Sequence, residues 1–149
     1  MTIKRRTIAK TRASVVQSGQ ALQDLGNENP NKILFSFAKF TTHKNYGFRS
    51  KSANAMAYAN FLDKLRGIGD KSWDLFTAER KQIGYETMPI GQLNRSFVGS
   101  LHKTIDTSGK LCVSRFNGEK MRFVFVRDTG CRHLMHILGI DWDLSLYEH

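Results

Sequence analysis

Hydrophobic positions follow a different rhythm in each third of the chain. Ile33 to Phe40 (ILFSFAKF) is rich in aromatic residues and carries apolar side chains on both faces, the pattern of a largely buried strand. Over about residues 53–66, Ala55, Met56, Tyr58, Ala59, Phe61, Leu62 and Leu65 form an apolar stripe at helical spacing. Ser52 is placed to cap that helix, and Gly67 and Gly69 to end it. Asp70 is placed to cap a second helix over about residues 71–82, with Trp73, Leu75 and Phe76 facing inward, so the two make a helical hairpin. From Gly84 to Gly109 the pattern weakens into glycines and scattered anchors, which predicts a buried loop with one helical turn near Leu93 to Leu101. LCVSRF, Asn117-Gly118 and EKMRFVFVRD then give a strong hairpin signal. Asp128-Thr129-Gly130 turns into HLMHILGID, and residues 111–141 read as a three-stranded antiparallel meander. The tail DWDLSLYEH adds a short strand or wraps across the sheet. The expected fold class is α+β: a helical hairpin packed on an antiparallel sheet with a C-terminal three-stranded meander.

Residues 1–31 stand apart. Lys4, Arg5, Arg6, Lys10 and Arg12 come with no acid before residue 13, a solvated basic arm, and ASVVQSGQALQDL reads as a short amphipathic helix ended by Gly26. Pro30 marks the boundary with a single α+β domain over residues 32–149. A length of 149 residues suits one domain. No apolar run is long enough to span a bilayer and the start lacks a secretory signal, so a soluble cytoplasmic protein without a membrane partner is expected.

A formal charge of +10 favours a polyanionic partner, RNA or another nucleic acid. Between Glu28 and Asp63 there is no acidic residue, whereas Lys32, Lys39, Lys44, Arg49 and Lys51 interleave with Phe35, Phe37, Phe40, Tyr46 and Phe48. Tyr46 and Phe48, in an expected loop, are candidates to stack on unpaired bases. The plainer alternative makes Phe35 and Phe37 core residues and the lysines merely solvated. The meander adds Lys110, Arg115, Lys120, Arg122, Arg127 and Arg132. Strand alternation puts Arg122 with Val124 and Val126, and Arg127 with Met121, Phe123 and Phe125, so the two leave opposite faces. They read either as phosphate contacts or as strand-end cations in solvent.

Cys112 and Cys131 lack finger spacing and read as free thiols. Phosphate-binding glycine loops are absent, which removes nucleotide-dependent enzymes, and no cofactor is expected. Asp141 and Asp143, flanking Trp142, read as exposed at a turn, and no metal site is expected. His133, His136, Tyr147 and His149 crowd the C-terminal end. Metal-independent RNA cleavage needs a base for the 2′-hydroxyl, a cation for the phosphorane and an acid for the leaving oxygen, all of which His, Tyr and Arg supply. His136 shares a face with Leu134, Leu138 and Ile140 and reads as a core histidine; His133, beside the turn, is the better candidate.

The order of strand, two helices and meander, with Tyr147 and His149 in the tail, resembles the RelE/HigB-like endoribonuclease toxins. The resemblance covers residues 32–149 and rests on topology and charge. It implies RNA cleavage, often on the ribosome, until a protein antitoxin or inhibitor covers the site. Lys120, Arg122 and Arg127 would then hold the phosphate, and His133, Tyr147 or His149 would move protons. The expectation is that Arg122→Ala or His133→Ala removes cleavage without unfolding. The alternative is a non-catalytic module of a phage or mobile element that binds nucleic acid or protein through the arm and residues 32–51.

Overall fold

The computed structural model describes residues 32–148, so the basic arm with Lys4, Arg5 and Arg6, the helix expected near residues 13–25, and His149 lie outside the described residues. Five strands, β1 (Leu34–Ser36), β2 (Tyr85–Pro89), β3 (Lys110–Phe116), β4 (Met121–Arg127) and β5 (Leu134–Asp141), form one sheet. Their spatial order is β1-β5-β4-β3-β2. Strand β1 runs parallel to β5, and the other pairs are antiparallel, with β3, β4 and β5 forming the meander. Three helices lie beside the sheet: α1 (Ala55–Gly69), α2 (Trp73–Ala78) and α3 (Arg95–Gly99). The fold is therefore α+β with a mixed, mostly antiparallel sheet. No helix of the described residues is long and apolar enough to cross a membrane.

Helix α1 starts at Asn54, whose side chain accepts from the Ala57 N–H at 2.8 Å, rather than at Ser52. It runs through Gly67 because the next residue, Ile68, is fully buried and repays the helical glycine. Helix α2 is shorter than the pattern suggested. Ser72 caps it by accepting from the Leu75 N–H, Trp73 and Phe76 are buried, and Leu75 points to solvent.

Two strands depart from the sequence reading. Strand β1 is only three residues long, because the chain turns at Phe37 to Phe40 before the Thr41 N–H donates to the Leu138 carbonyl. Strand β2 occupies part of the stretch expected to be a loop. Its Glu86 and Met88 share the face of Val113 and Leu111, and Pro89 closes an edge where no ladder donor is required.

The sheet separates two apolar layers. On one face, α1 and α2 bury Phe61, Ile68, Trp73 and Phe76 against Phe123, Phe125, Ile137 and Ile140. On the other, Leu93, Phe97, Tyr46 and the tail residue Leu146 cover Val113, Val124 and Leu138. A bulge between Val124 and Phe125 of β4 and their β5 partners sets the alternation of β5. Strict alternation would keep Ile140 with His136 and Leu138; instead Ile140 joins the helical layer and Leu138 the opposite one. The same shift turns Asp141 toward Arg122.

Candidate active site

Register brings the charged residues of the second face to one end of the sheet. Arg115 of β3 lies opposite Arg122 of β4, which lies opposite Asp141 of β5. Placing two arginines side by side costs repulsion, and one buried carboxylate offsets it. The Arg122 Nε donates to Asp141 Oδ2 at 2.9 Å, and Nη2 is 2.7 Å from the same oxygen. Both side chains are buried, so Arg122 is a structural anchor and not the surface phosphate contact the sequence suggested, and Asp141 is not the exposed turn residue. Burial pushes the Asp141 carboxyl up, and the Arg122 guanidinium opposes that shift.

The tail folds back over this pair. Asp141 Oδ1 accepts from the Ser145 N–H at 2.9 Å, which starts the turn that lays Tyr147 across the arginine. The Arg122 guanidinium carbon lies 3.7 Å from the Tyr147 ring centre. From that position the Tyr147 hydroxyl donates to Glu86 Oε1 at 3.2 Å. Arg115 Nη2 donates to the same oxygen at 3.3 Å, and Lys81 Nζ stands 3.8 Å from Glu86 Oε2. Glu86 and Arg115 each keep 21% of the side chain in solvent, so a ligand reaches both. Burial holds the Tyr147 phenol above its ordinary range, which keeps it protonated at neutral pH.

Concave surface flanks the group. Tyr147 lines an open cleft of about 850 Å³ with Met88, Asn94 and Arg95. Arg115 lines a second depression of about 480 Å³ with Asn60, Lys64 and Asn117. Of the sequence candidates, Arg115, Arg122 and Tyr147 are thus brought together. The residue missed was Glu86, whose signal was the alternation of a short edge strand hidden among glycines.

His133 is not part of this group. It precedes β5, and the eight-residue strand places it about 25 Å from the Asp141 end. At its own end, Asp128 accepts from the Gly130 and Cys131 N–H groups at 2.9 and 2.7 Å, and its Oδ1 lies 2.7 Å from His136 Nε2. His136 is buried, with Nδ1 lacking a hydrogen-bond partner. Arg127 leaves the opposite face from Arg122, with its guanidinium over Trp73 and its Nε donating to the Arg132 carbonyl. Lys120 and Arg132 are exposed. Among the described residues no cluster of three metal-ligating side chains occurs.

The basic, aromatic loop behaves differently from its reading. Tyr46 is 1% exposed, packs edge-on against Phe97 and donates its hydroxyl to the Ser145 carbonyl at 3.3 Å, so it anchors the loop and is not free to stack on a base. Phe48 remains exposed, and so does Phe37, which had been assignable to the core. Lys44, Arg49 and Lys51 are exposed and form none of the ion pairs seen among the described residues. No protein-family model matches the chain, and neither the curated proteins nor the solved structures yield a match.

Proposed function

We propose that the protein is an RNA-directed, metal-independent endoribonuclease, the activity implied by its resemblance to RelE/HigB-like toxins, with Glu86, Arg115 and Tyr147 as its working groups. The observation that carries this reading is the convergence of the Tyr147 hydroxyl and the Arg115 guanidinium on one oxygen of Glu86, at 3.2 and 3.3 Å. A base, a cation and a proton donor thereby stand within one hydrogen-bond radius, the set that RNA transesterification requires. Glu86 takes the proton of the 2′-hydroxyl as the O2′–P bond forms. Arg115 faces the charge that builds on the equatorial oxygens. The P–O5′ bond breaks, the Tyr147 hydroxyl gives its proton to the departing 5′-oxygen, and the products are a 2′,3′-cyclic phosphate and a 5′-hydroxyl. Buried Arg122, stacked on the ring, favours the tyrosinate formed in that step. The partner this implies is RNA, on or off the ribosome, and an antitoxin or inhibitor would act by covering Glu86 and Tyr147.

The test is incubation of the purified protein with RNA in EDTA. Cleavage with cyclic-phosphate ends, lost in Glu86→Gln, supports the reading. RNA left intact both in EDTA and with Mg²⁺ ends it. A second reading, the non-catalytic nucleic-acid-binding module, draws on the exposed basic and aromatic loop; it expects salt-dependent binding that survives Glu86→Gln with no turnover.

A further inference from the structure

Large aromatic side chains left in water at a fixed position call for a ligand. Phe37 is 39% and Phe48 44% exposed. Phe48 stacks on Phe40 with centroids 4.1 Å apart and planes 15° from parallel, and Phe37 meets Phe40 at 5.8 Å and Phe48 at 5.5 Å. Phe37 also touches Phe61 of α1 at 6.4 Å, which roots the cluster in the core.

The loop that carries Phe48 is held at several points. The Ile140 N–H donates to the Tyr46 carbonyl at 2.9 Å, the Trp142 indole N–H to the Gly47 carbonyl at 3.0 Å, and the Tyr58 hydroxyl to the Phe48 carbonyl. Gly47 is required there: a Cβ would stand 2.9 Å from the His43 carbonyl oxygen. The exposed rings are therefore preorganised, and no ordering cost falls on a ligand that meets them.

What surrounds them is cationic. Lys44, Arg49 and Lys51 share the loop, and the stretch from residue 29 to residue 62 contains no carboxylate. A purely apolar protein partner has no use for that charge, whereas a chain of phosphates with unstacked bases matches both features at once. We infer that Phe37 and Phe48 form a base-stacking platform, flanked by Lys44, Arg49 and Lys51, that binds single-stranded RNA. The inference rests on RNA being the partner and assigns it a second contact. The platform packs on the helical layer near the β1 edge, whereas Glu86 lies on the other face of the sheet at the β2 edge, so the two contacts are separate surfaces.

The experiment is fluorescence anisotropy of the full chain with a labelled 2′-O-methylated oligouridylate, which lacks the attacking hydroxyl, beside an RNA duplex of equal length. The single strand is expected to bind more tightly than the duplex. Phe37→Leu and Phe48→Leu, which keep apolar volume on the surface, are each expected to weaken it about tenfold with unchanged melting temperature. Lys44→Ala, Arg49→Ala and Lys51→Ala are each expected to lower the salt slope by about one, whereas the phenylalanine variants leave it alone. Duplex bound as tightly as single strand, or single-strand affinity untouched by both phenylalanine variants, overturns the platform; a surface built for a protein partner gives the second result. If those variants leave binding intact while Glu86→Gln abolishes cleavage, the platform falls and the ribonuclease reading stands. Binding that depends on the phenylalanines without any cleavage has the reverse meaning.

Discussion

The Arg122 guanidinium carbon sits over the Tyr147 ring, 3.7 Å from the ring centre. That contact gives the tyrosine two separable functions. The ring closes a buried ion pair, and the hydroxyl reaches Glu86. Tyr147→Phe keeps the first and deletes the second, so kcat for RNA cleavage is expected to fall about 10²- to 10⁴-fold with little change in KM or melting temperature. Tyr147→Ala is expected to lower the melting temperature as well. Tyr147→Phe with unimpaired turnover would remove the tyrosine from proton transfer.

Arg122 and Asp141 are both buried, and neither tolerates the loss of the other. Asp141→Ala or Arg122→Ala is expected to cost about 3–5 kcal/mol, since each leaves an uncompensated charge inside the protein. Loss of cleavage in Arg122→Ala is then accompanied by unfolding, contrary to the expectation from sequence that activity alone would go. The paired change Arg122→Met with Asp141→Leu is expected to be less damaging than either single alanine. Urea denaturation of the three variants measures this, and additive losses would refute the coupling.

The meander was legible because its signals are local: Asn117 and Gly118 adopt φ of 53° and 62°, the left-handed conformations those residues favour. The opposite orientations of Arg122 and Arg127 also followed from alternation alone. Alternation failed past Leu138, because the bulge opposite Val124 and Phe125 inserts a residue that no composition marks. With it went the inward turn of Asp141, the burial of Arg122 and the whole anchor for Tyr147. Glu86 was hidden for a related reason, since its strand gains its identity from pairing with β3 and not from its own residues. Tyr46 was assigned to the surface by its place in an expected loop, whereas tertiary packing on Phe97 buries it.

Asp128 gives the fold a defined acid sensitivity. Its carboxyl is lowered to about 2 by the Cys131 N–H first, then by His136 and the Gly130 N–H. A carboxylate with a folded pKa below its unfolded value stabilises the protein above the unfolded value, near 4, and loses that contribution as pH falls toward 2. The stability gap between wild type and Asp128→Asn is therefore expected to close as the pH falls between about 4 and 2. Urea titrations at fixed pH follow it, and a gap that persists at pH 2 would assign the stabilisation to something other than the ionised carboxylate.

The two thiols differ in reach and in acidity. Cys112 packs against the helical layer, where burial pushes its thiol up to about 11, whereas Cys131 is exposed in the turn after β4. The thiolate is the reacting species, so at neutral pH Cys112 is doubly protected, by cover and by protonation. A disulfide-exchange reagent is expected to label Cys131 rapidly and Cys112 only after denaturant is added. Equal rates in the folded protein would place Cys112 outside the core layer that the sheet and α2 build together. Modification of Cys131 also leaves a readout for the neighbouring turn: its backbone N–H donates to Asp128, so a bulky adduct that disturbs this hydrogen bond is expected to shift acid unfolding to higher pH.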